Sequence, residues 1–472
     1  MYRYGIIAIG YKNRKGMLRL LEYLKNAEYD SENVTLIISV DKSEDDSVGE
    51  LAMEFEWCHG EKIVRLQKER MGLRRHILTC GNYLNEYELD AVAVFEDDVI
   101  PSTDYFLYMR AATEKYYNEE SIAGISLYTH RKNFNVEEEF TPVAAEGDTY
   151  FLQYAQSWGQ VWFRNRWNDF SQWYKDNCEK LEADYRIPAN VSSWNENSWL
   201  KFHIKYCIMK NKYFVYPYVS HSTCFSEAGE HTAKDSDRCQ VVLSNSSGRA
   251  FTLTDFEEKA LKYDAFFENQ GLYQYCGVAK EELTVDLYGG HVAVNRRYLL
   301  SKKYLPYPVV KSWGNRLKPH EMNVIKDIPG EDIFLYDLGE GTEWKTLPAQ
   351  KINIDKFKQY FQIFDKWFGM KEQGRSIETF FTENGYKTIA LYGYGKMGKH
   401  LLCDLKNISV EVKYVIDQYA ANTAGDVEIK RLQDTLTEVD AVIVTAAFDF
   451  ERVKHQLSGR NIGKIISLEE IF

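Results

Sequence analysis

Three consecutive acids, Glu96, Asp97 and Asp98, follow directly on the apolar run Ala91-Val-Ala-Val-Phe95. A short apolar run bounded by polar residues, with Pro101 soon after to stop a ladder, predicts a buried central strand. The carboxylates then leave that strand at its C-terminal edge, where open α/β sheets bind their ligands. Like charges so close stay ionised together only when a cation sits among them. A divalent metal carrying a diphosphate fits that requirement best; the alternative is a solvated acidic turn.

The elements that must position these acids can be read on either side. Tyr4-Gly-Ile-Ile-Ala-Ile-Gly10 predicts a first strand, followed by the loop Tyr11-Lys12-Asn13-Arg14 and a helix with apolar residues at Met17, Leu20, Leu21 and Leu24. Val34 to Val40 predicts a second strand ending in Asp41. Lys62 to Leu66 predicts a third, leading into Met71-Gly72-Leu73-Arg74-Arg75-His76 and a further helix. Four strand ends thus present Asn13 and Arg14, Asp41, Arg74 and Arg75, and the acidic triplet. Such alternation predicts an α/β fold with a parallel, doubly wound sheet and one continuous ligand crevice.

In this order the motifs resemble the inverting glycosyltransferases of the GT-A nucleotide-diphospho-sugar transferase fold, in particular bacterial capsule and lipopolysaccharide members. The pattern is also similar to the eukaryotic N-acetylglucosaminyltransferase I, which initiates complex N-glycans. The resemblance covers roughly residues 1–330 and includes the later runs Asp286-Leu-Tyr-Gly289 and Arg297-Tyr-Leu-Leu-Ser301.

The resemblance implies a role for each motif. Sugar transfer from a nucleotide diphosphate leaves charge on the departing diphosphate, which a Mn²⁺ or Mg²⁺ ion neutralises. Asp98 would hold that metal, Asp97 would face the ribose or donor sugar, and Glu96 would support sugar hydroxyls or the metal's water shell. Asp41 would accept from the nucleobase, uracil in this reading. Asn13 would line the donor site, and Arg14 with Arg74 or Arg75 would meet its phosphates or base side; an arginine after a strand is equally often a surface ion pair. Trp158 and Gly159, in Gln156-Ser-Trp-Gly-Gln-Val-Trp-Phe163, resemble a segment passing under the donor sugar, where a missing side chain allows close approach; the alternative is a plain core strand. His231, and less strongly His221, are candidate ligands of the metal or diphosphate.

An inverting transfer also needs a base for the acceptor hydroxyl. Val191-Ser-Ser-Trp-Asn-Glu-Asn-Ser-Trp199 offers Glu196 between tryptophans, whose proximity would raise a carboxyl pKa and provide faces for sugar stacking. In the similar enzymes the base is an Asp two residues before the second tryptophan, and here Asn197 stands there. An amide takes no proton at neutral pH, so Glu196 substitutes, the register is shifted, or the site is impaired.

Composition bounds these readings. The 472 residues exceed one ordinary domain, and a 44% hydrophobic content can fill two or three cores. A net charge of -12 argues against a nucleic-acid partner. No apolar run of about 18 residues occurs, and no basic segment precedes an apolar one, so neither a membrane span nor a signal peptide is expected. The eight cysteines have no metal-ligand spacing and read as reduced thiols in a cytoplasmic protein.

A second domain is expected at 385–472, after a linker over 331–384 containing a helix from Ile354 to Phe368. Lys387 to Tyr392 predicts a strand, Gly393-Tyr-Gly395-Lys-Met-Gly398 a glycine turn opening a helix, and Val412 to Ile416 a strand ending in Asp417. Strand, G-x-G-x-x-G, helix, strand and acid make the dinucleotide-binding fingerprint of a small Rossmann-like α/β domain. NAD(P) or another nucleotide would contact Gly393, Gly395, Gly398 and Asp417; a structural or oligomerising module is the alternative.

The leading expectation is therefore a metal-dependent transferase moving a sugar from a nucleotide-diphospho-sugar to a glycan or lipid-linked glycan in surface-polysaccharide synthesis. It would be cytoplasmic, peripheral at the inner membrane face where the acceptor is lipid-linked, with a homodimer as one arrangement. The competing expectations are an NAD-dependent enzyme that modifies nucleotide sugars through the C-terminal domain, and a non-catalytic scaffold.

Overall fold

A computed structural model describes residues 2–179, 184–225, 237–348, 353–418, 423–424 and 427–472. Two compact units are present, residues 1–303 with 307–349, and 304–306 with 350–472. The first is built on a nine-stranded mixed sheet. Four strands run parallel in the order β3 (Lys62–Leu66), β2 (Val34–Val40), β1 (Tyr4–Gly10) and β4 (Ala91–Glu96). Every residue of β1 is buried, and β4 is buried as far as Phe95, as strands covered on both faces must be. Two apolar clusters lie on the two faces: Ile6, Ala8, Leu36, Ile38 and Ala93 pack on one, Ile7, Ile9, Ile37, Val92 and Val94 on the other.

The expected parallel, doubly wound sheet is found in this half, and the rest of the sheet is mixed. Beyond β4 the strand Gln160–Phe163 runs antiparallel, with Gln160 opposite Val94. It separates β4 from β6 (Ile122–Ser126), and the strand Thr149–Leu152 is likewise antiparallel to Tyr213–Pro217. The parallel half comes from β-α repeats, with α1 (Arg14–Lys25), α2 (Ser47–Glu54) and α3 (Gly72–Glu86) returning the chain to the starting edge. After α4 (Tyr105–Tyr116) and β6 the return is by a long irregular loop, which permits either direction.

The interval 331–384, read above as a linker, is divided between the units. Ile333–Asp337 is the third strand of a four-stranded sheet with Leu283–Asp286, Tyr298–Ser301 and Val309–Trp313. Asp286 and Ser301, from the two later runs named above, are buried there. The Asp286 carboxylate pairs with Lys303 at 3.0 Å and accepts from the His291 N–H, a structural use. The helix Asn353–Glu372 instead buries Ile363, Trp367 and Met370, a stripe at helical spacing, in the core of the second unit.

In the second unit five strands run parallel in the order Val427–Lys430, Glu411–Ile416, Thr388–Tyr392, Ala441–Val444, Lys464–Ser467. The order reverses at Thr388–Tyr392, so the crevice of this sheet opens where that strand meets Ala441–Val444. Among the described residues no helix is long and apolar enough to cross a membrane, and the eight cysteines are free thiols.

Candidate functional site

The acidic turn stands at the C-terminal edge of β4. β5 (Val99–Pro101) follows it and pairs with Ser222–Cys224, and the Phe225 N–H donates to the Asp98 carbonyl at 2.7 Å. Burial, then the charges of Asp98 and Asp97, hold the Glu96 carboxyl well above its ordinary range. Burial and the charge of Asp98 push Asp97 up to about 7, against the Tyr11 N–H, the Asn13 amide and Arg19, which favour its anion. Glu96 and Asp97 therefore keep their protons more tightly than free carboxyls do, and a cation beside them would favour their anions.

These groups fit a hard divalent cation: all are oxygen donors, and the repulsion that raises Glu96 and Asp97 is what such an ion would relieve. Among the described residues no three His, Cys, Asp or Glu side chains converge into a cage. An ion here would be held by one or two carboxylates and would complete its shell from diphosphate and water, the usual arrangement for Mg²⁺.

The opposite wall is the start of α1. The Asn13 side chain caps the helix, accepting from the Gly16 N–H at 2.9 Å, while its amide donates to Asp97. The positive end of the helix thus faces the acids. Gly16 was not singled out in the sequence, yet a Cβ there would collide with the Asn13 amide and the Asp97 carbonyl. The available signal was a glycine in the first turn of a good helix, which costs about 1 kcal/mol unless close packing requires it. Arg19 was missed as well; its guanidinium lies 3.6 Å from the Phe225 ring centre, beside Asp97. Arg14 is exposed, and its charge falls on Asp45.

Asp41 and the two arginines have structural partners. The buried Asp41 carboxylate accepts from the backbone N–H groups of Lys42, Met71 and Gly72 at 2.8–2.9 Å, capping the entry to α3. A nucleobase would therefore share this carboxylate with the helix. Arg74, expected at the phosphates, has all three guanidinium nitrogens engaged within the protein. They donate to the Tyr174 hydroxyl at 2.5 Å and to the carbonyls of Glu196 and Cys178 at 2.9 and 2.8 Å. Arg75 forms the surface ion pair weighed as the alternative, with Glu69 at 2.8 Å.

Trp158 and Gly159 lie beside the acidic turn, since the following residue pairs with Val94 in β4. Gly159 has φ +97°, and a Cβ would stand 2.6 Å from the Ser222 hydroxyl, which itself donates to the Trp158 carbonyl. The Trp158 ring joins an aromatic wall with Tyr128 and Phe134. His221 is removed from ligand duty by its partners. It is buried, stacked on Tyr108, and sets Nδ1 3.0 Å from Asp104. Burial would raise the Asp104 carboxyl, but the hydrogen bond and charge of His221, with Ser102 and Ser244, hold it at about 2. His231 lies outside the described residues.

Glu196 is not enclosed between its tryptophans. Trp199 is buried under the sheet, whereas the Glu196 side chain is 67% exposed and lies 3.5 Å from the ammonium of Lys201, itself 1% exposed. Asn197 is also exposed. Arg74 links this segment by backbone to the start of α3 and the end of the helix α5 (Arg164–Asn177).

The glycine turn of the second unit is satisfied internally. An Asp417 oxygen accepts from the Tyr394 N–H at 2.6 Å, and Thr445 donates to the carbonyls of Tyr392 and Gly393. Gly393 has φ +99°, and a Cβ on Gly398 would collide with the Gly393 carbonyl, whereas one on Gly395 would meet nothing within 4 Å. Gly395 precedes the helix Lys396–Leu405, so open space faces that helix start.

No family model and no curated protein matches the chain. Among solved structures it is similar to S. aureus TarS 1-349, with a TM-score of 0.31 and 12% identity over 48% of this chain and 61% of that one. TarS 1-349 in complex with UDP-GlcNAc gives 0.32 and 13%, over 49% and 60%. The mannosyltransferase PcManGT from Pyrobaculum calidifontis, in complex with GDP-Man and Mn²⁺, gives 0.29 and 11%, over 46% and 57%. The chain spans about three-fifths of the length of these proteins.

Proposed function

We infer that the first unit is a GT-A-type, metal-dependent, inverting glycosyltransferase that takes a nucleotide-diphospho-sugar, with UDP as the nucleotide. The observation that carries this reading is the crowding of three carboxyls, Glu96, Asp97 and Asp98, at a strand's C-terminal edge, with Glu96 and Asp97 pushed upward, facing the capped start of α1. Asp98, with Asp97, would hold Mn²⁺ or Mg²⁺, which when bound offsets the charge of the departing diphosphate. Asn13 positions Asp97, and Gly159, packed against Ser222, sets Trp158 beside the acidic turn, where its ring would meet the donor sugar. In transfer, an acceptor hydroxyl oxygen bonds to the anomeric carbon as the bond from that carbon to the diphosphate oxygen breaks. The hydroxyl proton passes to a carboxylate, for which Glu196 is the candidate. The acceptor class is a glycan or lipid-linked glycan of a surface polysaccharide, reached from the cytoplasmic side.

The second unit supports a narrower reading, a Rossmann-like module that binds a nucleotide or joins two copies. The space over Gly395 favours the former. For the latter, Phe357, Phe361 and Phe368 are exposed on the helix Asn353–Glu372 and, with Phe364, are spaced 4, 3 and 4, the seam of a helix pair.

Calorimetric titration of UDP, with and without Mn²⁺, into the intact protein and Asp98→Ala tests the main reading. Metal-dependent binding that disappears in the variant is expected. Binding of NAD alone would move the activity to the second unit.

A further inference from the structure

Apart from the acidic turn, the first unit carries a groove of about 940 Å³ on the outer side of α5 and the helix Leu200–Met209. This is near the upper end of the range for small-ligand sites, about 300–1,000 Å³. Its walls include Trp173, Tyr185 and Trp344. Tyr185 and Trp344 are distant in sequence but have ring centres 5.0 Å apart, and they remain 46% and 42% exposed. Two large rings from separate segments, brought together and left open to solvent, form a platform rather than a core contact.

Among the described residues the charges around the platform balance. Asp176, Glu179 and Asp184 stand against Arg186, Lys205 and Lys210, and Asp184 and Arg186 satisfy each other at 2.7 Å. An ionic ligand would gain little from such a lining. Hydroxyl-rich rings would gain much, because their C–H faces lie on the negative π-clouds while their hydroxyls reach the surrounding acids, lysines and Asn177. The end of α5 that forms this wall is the same segment that Arg74 ties to the Glu196 backbone through Tyr174 and Cys178.

We propose that this groove is a binding site for a neutral oligosaccharide, which holds the distal sugars of the acceptor while its end reaches the acidic turn. The link to transfer rests on the proposed function; binding itself does not. The acceptor is then a chain of several sugars, and a monosaccharide acceptor is used poorly.

The test titrates chitohexaose and maltoheptaose as neutral probes, and hyaluronan hexasaccharide as the acidic one, into the intact protein, Trp344→Ala, Trp344→Phe and Asp98→Ala, by calorimetry and tryptophan fluorescence. A neutral probe is expected to bind, at least tenfold more weakly to Trp344→Ala and close to normally to Trp344→Phe, which keeps an aromatic face. UDP binding should be unchanged in both Trp344 variants, and oligosaccharide binding should survive Asp98→Ala. Binding of neither neutral probe, a preference for hyaluronan, or neutral binding indifferent to Trp344→Ala would overturn the proposal. Failure of UDP to bind while a neutral probe still does would count against glycosyl transfer and leave the groove standing.

Discussion

The acidic turn after β4 and the glycine turn before the helix Lys396–Leu405 are both strand ends at which a phosphate-bearing ligand is expected, yet their electrostatics are opposite. In the first, three carboxylates crowd one another and two are pushed upward. In the second, the Asp417 carboxylate accepts from the Tyr394 N–H, and the glycines pack against neighbouring backbone and Thr445. Carboxyls crowded enough to shift one another are kept where function uses them, whereas satisfied groups are explained by folding alone. The contrast is the reason for proposing the chemistry in the first unit, and it leaves the second a fold whose glycines are accounted for by packing, except at Gly395.

The largest effect should come from Asp98→Ala. Loss of a group that holds charge in the transition state typically costs about 10²–10³ in rate, so UDP-sugar turnover should fall by at least that factor while the melting temperature holds or rises, because a like charge has been removed. Asp417→Ala should leave turnover unchanged and cost about 1 kcal/mol of stability, the value of one hydrogen bond. Equal losses of turnover in the two variants would erase the distinction between the regions.

Next in size are Gly16→Ala and Gly398→Ala. Each places a methyl against a fixed carbonyl, Asp97 in one case and Gly393 in the other, and overpacking of this kind costs about 1–3 kcal/mol. Denaturant unfolding should show similar destabilisation for both. Only Gly16→Ala should weaken Mn²⁺-dependent UDP binding, since only there does the displaced backbone belong to the acidic turn.

A smaller effect is expected from pH. Asp97 titrates near 3.8 unfolded and at about 7 folded, so between those values the folded state holds more protons and stability falls as pH rises. With the side chain only partly shielded from water, the loss should be about 1 kcal/mol. Asp97→Asn should remove this slope, and Mn²⁺ should flatten it by favouring the anion. Buried His76, held neutral down to about 4 by burial, works the other way: it loses stability as pH falls below about 6.5. The difference between wild type and Asp97→Asn is therefore the quantity to measure.

What could be read from the sequence divides along the same line. β4 and its acids were legible because the apolar run and the charges are adjacent in the chain. The uses of Asp41 and Arg74 were not, because the partners that occupy them lie about 30 and 100–122 residues away. Helical periodicity revealed the helix around Ile363 and Trp367, but periodicity does not say which body buries the stripe. The exposure of Glu196 was hidden for a similar reason. Flanking tryptophans suggest enclosure, yet Trp199 turns under the sheet and leaves the carboxylate to Lys201.

The smallest effect should be that of Arg75→Ala. Arg74 and Arg75 are adjacent and alike in sequence, but one guanidinium is spent on three acceptors from two distant segments and the other on a single exposed glutamate. An exposed pair is worth about 0–1 kcal/mol because water and salt screen it. Removal of the Arg75 side chain should therefore shift stability by no more than about 0.5 kcal/mol, with UDP affinity unaltered at low and at physiological salt. A drop in UDP affinity that added salt abolishes would show that Arg75 leaves Glu69 to meet the donor. Strand-end basic residues would then belong with the acidic turn, as part of the functional region.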